Sequence, residues 1–232
     1  VGSRNATGYG ISTTRRLCLD LAARQVTIVS GMAIGIDSAA HQGALMGKGE
    51  TIAVLGSGLE IVYPAENRSL FHRIAENGAV ISEFPLLTEP EPHNFPIRNR
   101  IISGMSLGTV VVEATKRSGS LITARLSAEQ NREVFAIPGS IHSFKSTGTH
   151  TLIKQGAKLV EHAQDIMEEL SYAIEAPHEE YKIANENMER IPQLSSEESL
   201  VFKALGPYPL HIDDLARKLS MKPGKLSSIL LQ

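Results

Sequence analysis

Apolar positions along the chain fall into short, dense runs separated by stretches in which they recur every three or four residues. The runs at 26–30, 51–55, 79–82, 110–113 and 134–137 predict strands. Between them, residues 34–46, 66–77 and 122–131 predict helices, the second stopped by Gly78, where a left-handed conformation costs least. The run at 110–113 is apolar up to its last residue, the pattern of a central parallel strand covered on both faces. Strand alternating with helix predicts parallel βαβ units. The expected fold class is therefore α/β, a Rossmann-like doubly wound and mostly parallel sheet.

The pattern changes at residue 171. Residues 171–194 are polar and acidic, the composition of a linker, so two domains are expected, over 1–170 and 195–232. In the second, S-S-E-E at 195–198 resembles a helix-capping sequence. Residues 212–219 and 225–231 predict two more short helices, with P-Y-P at 207–209 before the first and M-K-P-G at the turn between them. Helix, helix, turn, helix is the outline of a winged helix-turn-helix, here expected to be incomplete because the sequence stops within the third helix. Such an outline serves duplex DNA in some proteins and protein contacts in others.

Composition narrows the classes. A net charge of −2 makes the chain as a whole no basic nucleic-acid binder, so any affinity for phosphate must come from local clusters. No apolar run approaches the roughly 18–20 residues that span a bilayer, and the N-terminus lacks a basic-then-apolar signal; no membrane association and a cytoplasmic location are expected. The lone Cys18 lies in a helical pattern between Leu17 and Leu19 and reads as a small buried thiol. The eight histidines are scattered, without H-x-x-x-H or a Cys/His cluster, so no metal site is expected. The three-glycine dinucleotide fingerprint and the G-K-[S/T] phosphate loop are both missing, so neither cofactor is implied.

The candidate chemistry lies in loops. In open α/β sheets ligands bind beyond the carboxyl ends of the strands, where loops lead into helix N-termini. Gly2, Ser3 and Arg4 open one such loop; Gly31, Ala33 and Gly35 lie in the next; G-S-G occupies 56–58; Lys116, Arg117, Ser118, Gly119 and Ser120 follow the 110–113 strand. Glycine lets backbone amides approach an oxyanion, and helix N-termini add unpaired N–H donors. Each loop alone also reads as an ordinary sharp turn; four at one sheet edge read as a phosphate-holding rim.

Arg98 and Arg100 stand in F-P-I-R-N-R-I-I-S-G at 95–104, read as a proline-fixed loop. Two roles are open to them. They support the phosphate rim, or they pair with Glu83 or Glu113, because arginine matches carboxylate and phosphate equally well. Asp37 reads as a helix cap and His41 as a packed helix residue.

G-S-R at 2–4, S-G-M-A-x-G-I-D-x-A-A-H at 30–41, G-x-G-L-E-x-x-Y-P-x-x-N at 56–67, the F-P-x-R-N-R-I-I-S-G segment, E-A-x-x-x-S-G-S-L-I-T-A at 113–124 and V-F-A-I-P-G-S at 134–140 resemble, in this order, the DNA processing protein A (DprA/Smf) family. The resemblance implies a homodimeric Rossmann-like protein that binds single-stranded DNA, protects it, and helps load RecA recombinase in natural transformation, without chemistry on DNA. It assigns Arg4, with Gly2 and Ser3, to the DNA pocket. Relatives often carry lysines where this chain has Ile34 and Ala65, so two expected charges are missing. Arg68, Lys116, Arg117, Lys145 and Lys154 are the candidate substitutes, Lys116 first among them.

Tyr63, Phe71, Phe95 and Phe144 are the aromatics near the rim, read mainly as core or loop anchors, which favours phosphate capture over base reading. The alternatives are a nucleotide phosphoribohydrolase or a mononucleotide-sensing module of the same fold. Against the first, R-S-G-S-L-I-T-A lacks the glycine pair and downstream glutamate of P-G-G-x-G-T-x-x-E and leaves Glu113 as the nearest acid.

Overall fold

The computed structural model describes residues 1–175, 195–205 and 211–230. It divides into two compact units, Val1–Glu175 and the remainder.

In the first unit, strands β1 (Ile28–Ser30), β2 (Thr51–Val54) and β3 (Gly78–Ile81) form one parallel sheet in that order. Strands β4 (Gly108–Val111), β5 (Glu133–Ala136) and β6 (Lys158–Leu159) form a second. Residues of β1 and β4 both line an apolar cavity of about 580 Å³. Val1 and Gly2 run parallel to the end of β4, the Val112 amide donating to the Val1 carbonyl at 2.9 Å.

The helices are α1 (Gly8–Ala22), α2 (Ile36–Met46), α3 (Arg68–Glu76), α4 (Asn94–Gly104), α5 (Ser120–Glu129), α6 (Thr147–Lys154) and α7 (Ala163–Glu175). Helices α1, α2 and α7 cover one face of the second sheet and α5 and α6 the other, while α3 packs on the first sheet. Along the pleat successive side chains point to opposite sides: Val110 and Phe135 pack with α1, α2 and α7, whereas Val111 and Val134 pack with Ala124 of α5. Parallel strands covered twice give the doubly wound arrangement that their unbroken apolar runs predict.

Two elements differ from the sequence reading. Residues 94–104 form a helix, not a loop, because Pro96 sits in the first turn, where the backbone N–H groups lack intrahelical partners in any case. Helix α7 continues to Glu175, so the first five residues of the predicted linker are helical. The rest of that linker, 176–194, lies outside the described residues, as do the P-Y-P turn and Leu231.

In the second unit α8 (Ser196–Ala204), α9 (Ile212–Leu219) and α10 (Pro223–Leu230) enclose Val201, Leu215, Ala216 and Leu226. The capping sequence works as read: the Ser195 hydroxyl accepts from the Glu198 amide at 3.3 Å, and the Glu198 carboxylate accepts from the Ser195 amide at 2.6 Å. These three helices fit the helix-turn-helix outline.

Candidate functional site

Beyond the carboxyl ends of the strands lies a cavity of about 530 Å³. Gly2, Ser3 and Arg4 enter it from the loop before α1, Ala33 from the turn between β1 and α2, and Asp37 from the first turn of α2. Arg98 and Phe95 reach it from α4, and Ser118, Gly119 and Ser120 from the start of α5. Four segments far apart in sequence thus meet at the edge where ligands of parallel α/β sheets bind.

Arg98 forms the floor. Only 4% of it is exposed; its Nη1 donates to the Gly31 carbonyl at 3.0 Å and to the Val54 carbonyl, and its Nε to Asn99 at 3.3 Å. Burial lowers its pKa to about 10, with Asp37 opposing the shift. The guanidinium is therefore structural, fixing the ends of β1 and β2, while its face lies 5.8 Å from the centre of the Phe95 ring. The exposed Arg4 lies 5.1 Å from the same ring. One aromatic side chain carries both cations. Tyr63, 44% exposed, leans on Phe95 at 5.8 Å between ring centres and also lines the cavity.

Arg100 is turned elsewhere. It pairs with Glu83 on the surface, one of the two partners open to this arginine pair from sequence. Glu113, the other, takes neither arginine: its carboxylate accepts from the Thr7 amide at 2.8 Å and from the Thr7 hydroxyl, clamping the loop that carries Arg4 to the end of β4.

Gly31 and Gly35 support the cavity rather than line it. A Cβ on Gly31 would stand 2.6 Å from Arg98 Nη2 and 2.8 Å from Asp37 Oδ2. Gly35 has φ of +80°, and a Cβ there would meet the Ser3 and Arg4 carbonyl oxygens at 2.4 and 2.6 Å. The Ile36 amide donates to the Ser3 carbonyl at 3.2 Å, so this first-turn donor of α2 holds the Arg4 loop. The start of α5 is different. Ser118 accepts from the Thr115 amide at 2.9 Å, but the Ser120 hydroxyl, on a residue only 8% exposed, has no partner. Lys116 is exposed on the adjoining loop, outside the cavity lining.

Ile34 is 46% exposed and Ala65 is exposed. Among the substitute cations, Arg68, Arg117 and Lys154 are exposed, and Lys145 donates to the Asn5 carbonyl, one residue past Arg4. His41 is fully buried with Nδ1 2.7 Å from the Thr51 hydroxyl, as its packed position in the pattern suggests. The sequence reading undervalued Phe95 and Tyr63; their nearness in the fold to Arg4, not any local pattern, makes them part of the cavity wall. No three potential metal ligands cluster among the described residues, and none of their helices is long and apolar enough to cross a membrane.

A parallel α/β fold with a glycine- and serine-rimmed cavity at the carboxyl ends of its strands defines a Rossmann-like class of protein. Residues 1–171 match the family model for DNA recombination-mediator protein A, and 186–232 match that for the DprA winged helix domain. The chain belongs to the DNA recombination-mediator protein A family. It is 52% identical over 175 residues to protein Smf of Escherichia coli K12, covering 75% of this chain and 47% of that one. The crystal structure of DNA processing protein A from Streptococcus pneumoniae is similar at 46% identity and a TM-score of 0.69, over 73% of this chain and 59% of that one. The same protein from Helicobacter pylori, with a unique single-stranded DNA binding mode, is similar at 30% identity and a TM-score of 0.68, over 75% of this chain and 79% of that one. The chain spans 40–61% of the length of the curated relatives it matches.

Proposed function

We propose that the protein is a single-stranded DNA-binding recombination mediator. It acts in the cytoplasm as a homodimer, shields incoming strands and helps load RecA during natural transformation, without catalysing a reaction on the DNA. Gly2, Ser3 and Arg4 hold a backbone phosphate together with Ser118, Gly119 and Ser120, and Lys116 adds charge at the rim. Arg98 supports the site from beneath, with Arg100 placed on the outer surface of the same helix.

The observation that carries this reading is the exposed Arg4 set over the Phe95 ring in a cavity that the start of α5 also lines: a cation, an aromatic face and the unpaired amides of a helix start suit one stretch of single strand. Engagement of Glu113 with Thr7 supports the non-catalytic reading, since the acid nearest the α5 loop already has a partner.

Fluorescence anisotropy of a labelled oligonucleotide, single-stranded against duplex and across a salt series, tests the proposal. Single strands are expected to bind preferentially, with affinity falling as salt rises, and Arg4→Ala to weaken binding and flatten the log–log salt slope by about 0.7. Equal affinity for duplex, or insensitivity to Arg4→Ala, would overturn it. Tight binding of mononucleotides with no gain for oligonucleotides would identify a nucleotide sensor instead.

A further inference from the structure

Phe144 is 69% exposed on a single 3₁₀ turn, Phe144–Ser146, in the loop after β5. The turn is firmly held. Ser146 is buried, the Thr147 hydroxyl donates to the Phe144 carbonyl at 2.7 Å, and Lys145 donates to the Asn5 carbonyl. Two residues on, the Gly148 amide donates to the Ala114 carbonyl at 2.7 Å, tying this segment to the loop that carries Lys116 and Arg117. The loops after Gly2, β4 and β5 are thereby joined into one shelf beside the cavity.

The charge of that shelf has one sign. The chain carries a net −2, yet no acidic residue occurs in 1–19, 114–128 or 134–160. Arg4, Lys116, Arg117 and Lys145 are the cations of the shelf loops, and the nearby Glu113 carboxylate is engaged on Thr7. A rigidly presented aromatic ring among unopposed cations suits a polyanion with stacking bases.

We infer that Phe144, Lys145 and Lys116 form a second nucleotide subsite, which takes the length of single strand leaving the cavity past Arg4. A base stacks on the Phe144 ring, and backbone phosphates lie along the two ammonium groups. The inference rests on the single-strand reading of the cavity and extends its footprint.

Anisotropy with a long oligo(dT), and competition by a thymidine dinucleotide that fills only the cavity, test it. Phe144→Ala is expected to lose roughly five- to 150-fold affinity for the long oligonucleotide, which is about 1–3 kcal/mol for one stacked base, and to leave the dinucleotide unaffected. Phe144→Trp retains binding, and Ile141→Ala, at an exposed aliphatic neighbour, is neutral. If Phe144→Ala binds the long strand like the wild type while Arg4→Ala does not, the second subsite falls and the cavity reading stands. Equal losses in Phe144→Ala and Ile141→Ala would mean that apolar burial, not stacking, is at work, and would also overturn the subsite. A wild type that binds no oligonucleotide removes both.

Discussion

The carbonyl of Gly31 accepts a 3.0 Å hydrogen bond from Nη1 of Arg98, 67 residues further along the chain. Gly31 has no Cβ because that guanidinium and the Asp37 carboxylate fill the space where one would stand. Replacing Arg98 by alanine leaves the buried Gly31 and Val54 carbonyls without this donor. A loss of about 1–3 kcal/mol in unfolding free energy for each carbonyl left without its donor is expected from urea titration, more than for Arg100→Ala, whose ion pair lies at the surface.

Gly35→Ala moves the Arg4 loop. The substitution meets both a positive φ and the carbonyls of Ser3 and Arg4, so it is expected to cost about 1–3 kcal/mol and to weaken single-strand binding. Thermal melting and anisotropy on one sample check both effects. Unchanged melting would show that the loop accommodates the methyl group.

Much of this was legible in the sequence, for uneven reasons. The strand at 51–55 and the helix at 34–46 were read to within two residues because burial wrote a clear period into them. Helix α4 was missed because Pro96 is a breaker everywhere except in a first turn. Strand β6, Lys158–Leu159, is two residues long and exposed, too short to write an alternation. At the site, glycines and serines announced the rim, but the division of labour between Arg98 and Arg100 depends on which way a helix faces, and identical residue types two positions apart do not reveal that.

Acid should destabilise the fold through His41. Burial lowers its pKa from 6.5 to about 4, against a smaller opposing effect of Asp37. Between those values the unfolded chain takes up a proton that the folded chain refuses. Stability present above pH 6.5 is thus lost as the pH falls towards 4, by on the order of 3 kcal/mol. Urea midpoints measured along that range should fall in the wild type and fall less in His41→Gln.

Lysines at positions 34 and 65 should strengthen DNA capture. Ile34 and Ala65 are both exposed, so the longer side chains need no repacking. Each new phosphate contact is expected to steepen the log–log salt dependence by about 0.7 and to raise affinity most at low ionic strength. A double variant with an unaltered slope would show that the strand does not pass these positions.

Cys18 should stay inert in the native state. Burial pushes its thiol pKa up to about 12, leaving almost no thiolate at neutral pH. A chromogenic disulfide reagent is expected to react only as the chain unfolds, so its rate under native conditions reports opening of α1. Immediate stoichiometric reaction would contradict this.

The clamp between Thr7 and Glu113 has a bearing on how such a chain can diverge. The Glu113 carboxylate also occupies the space next to Gly10, where a Cβ would stand 2.6 Å from its Cδ. Positions 7, 10 and 113 are therefore coupled: a side chain at 10 displaces the carboxylate of Glu113 from its place on Thr7, and a shorter acid at 113 lets go of the loop. Exposed cations of the rim carry no such coupling, whereas these three sites share one space, and in a collection of descendants they are expected to vary together.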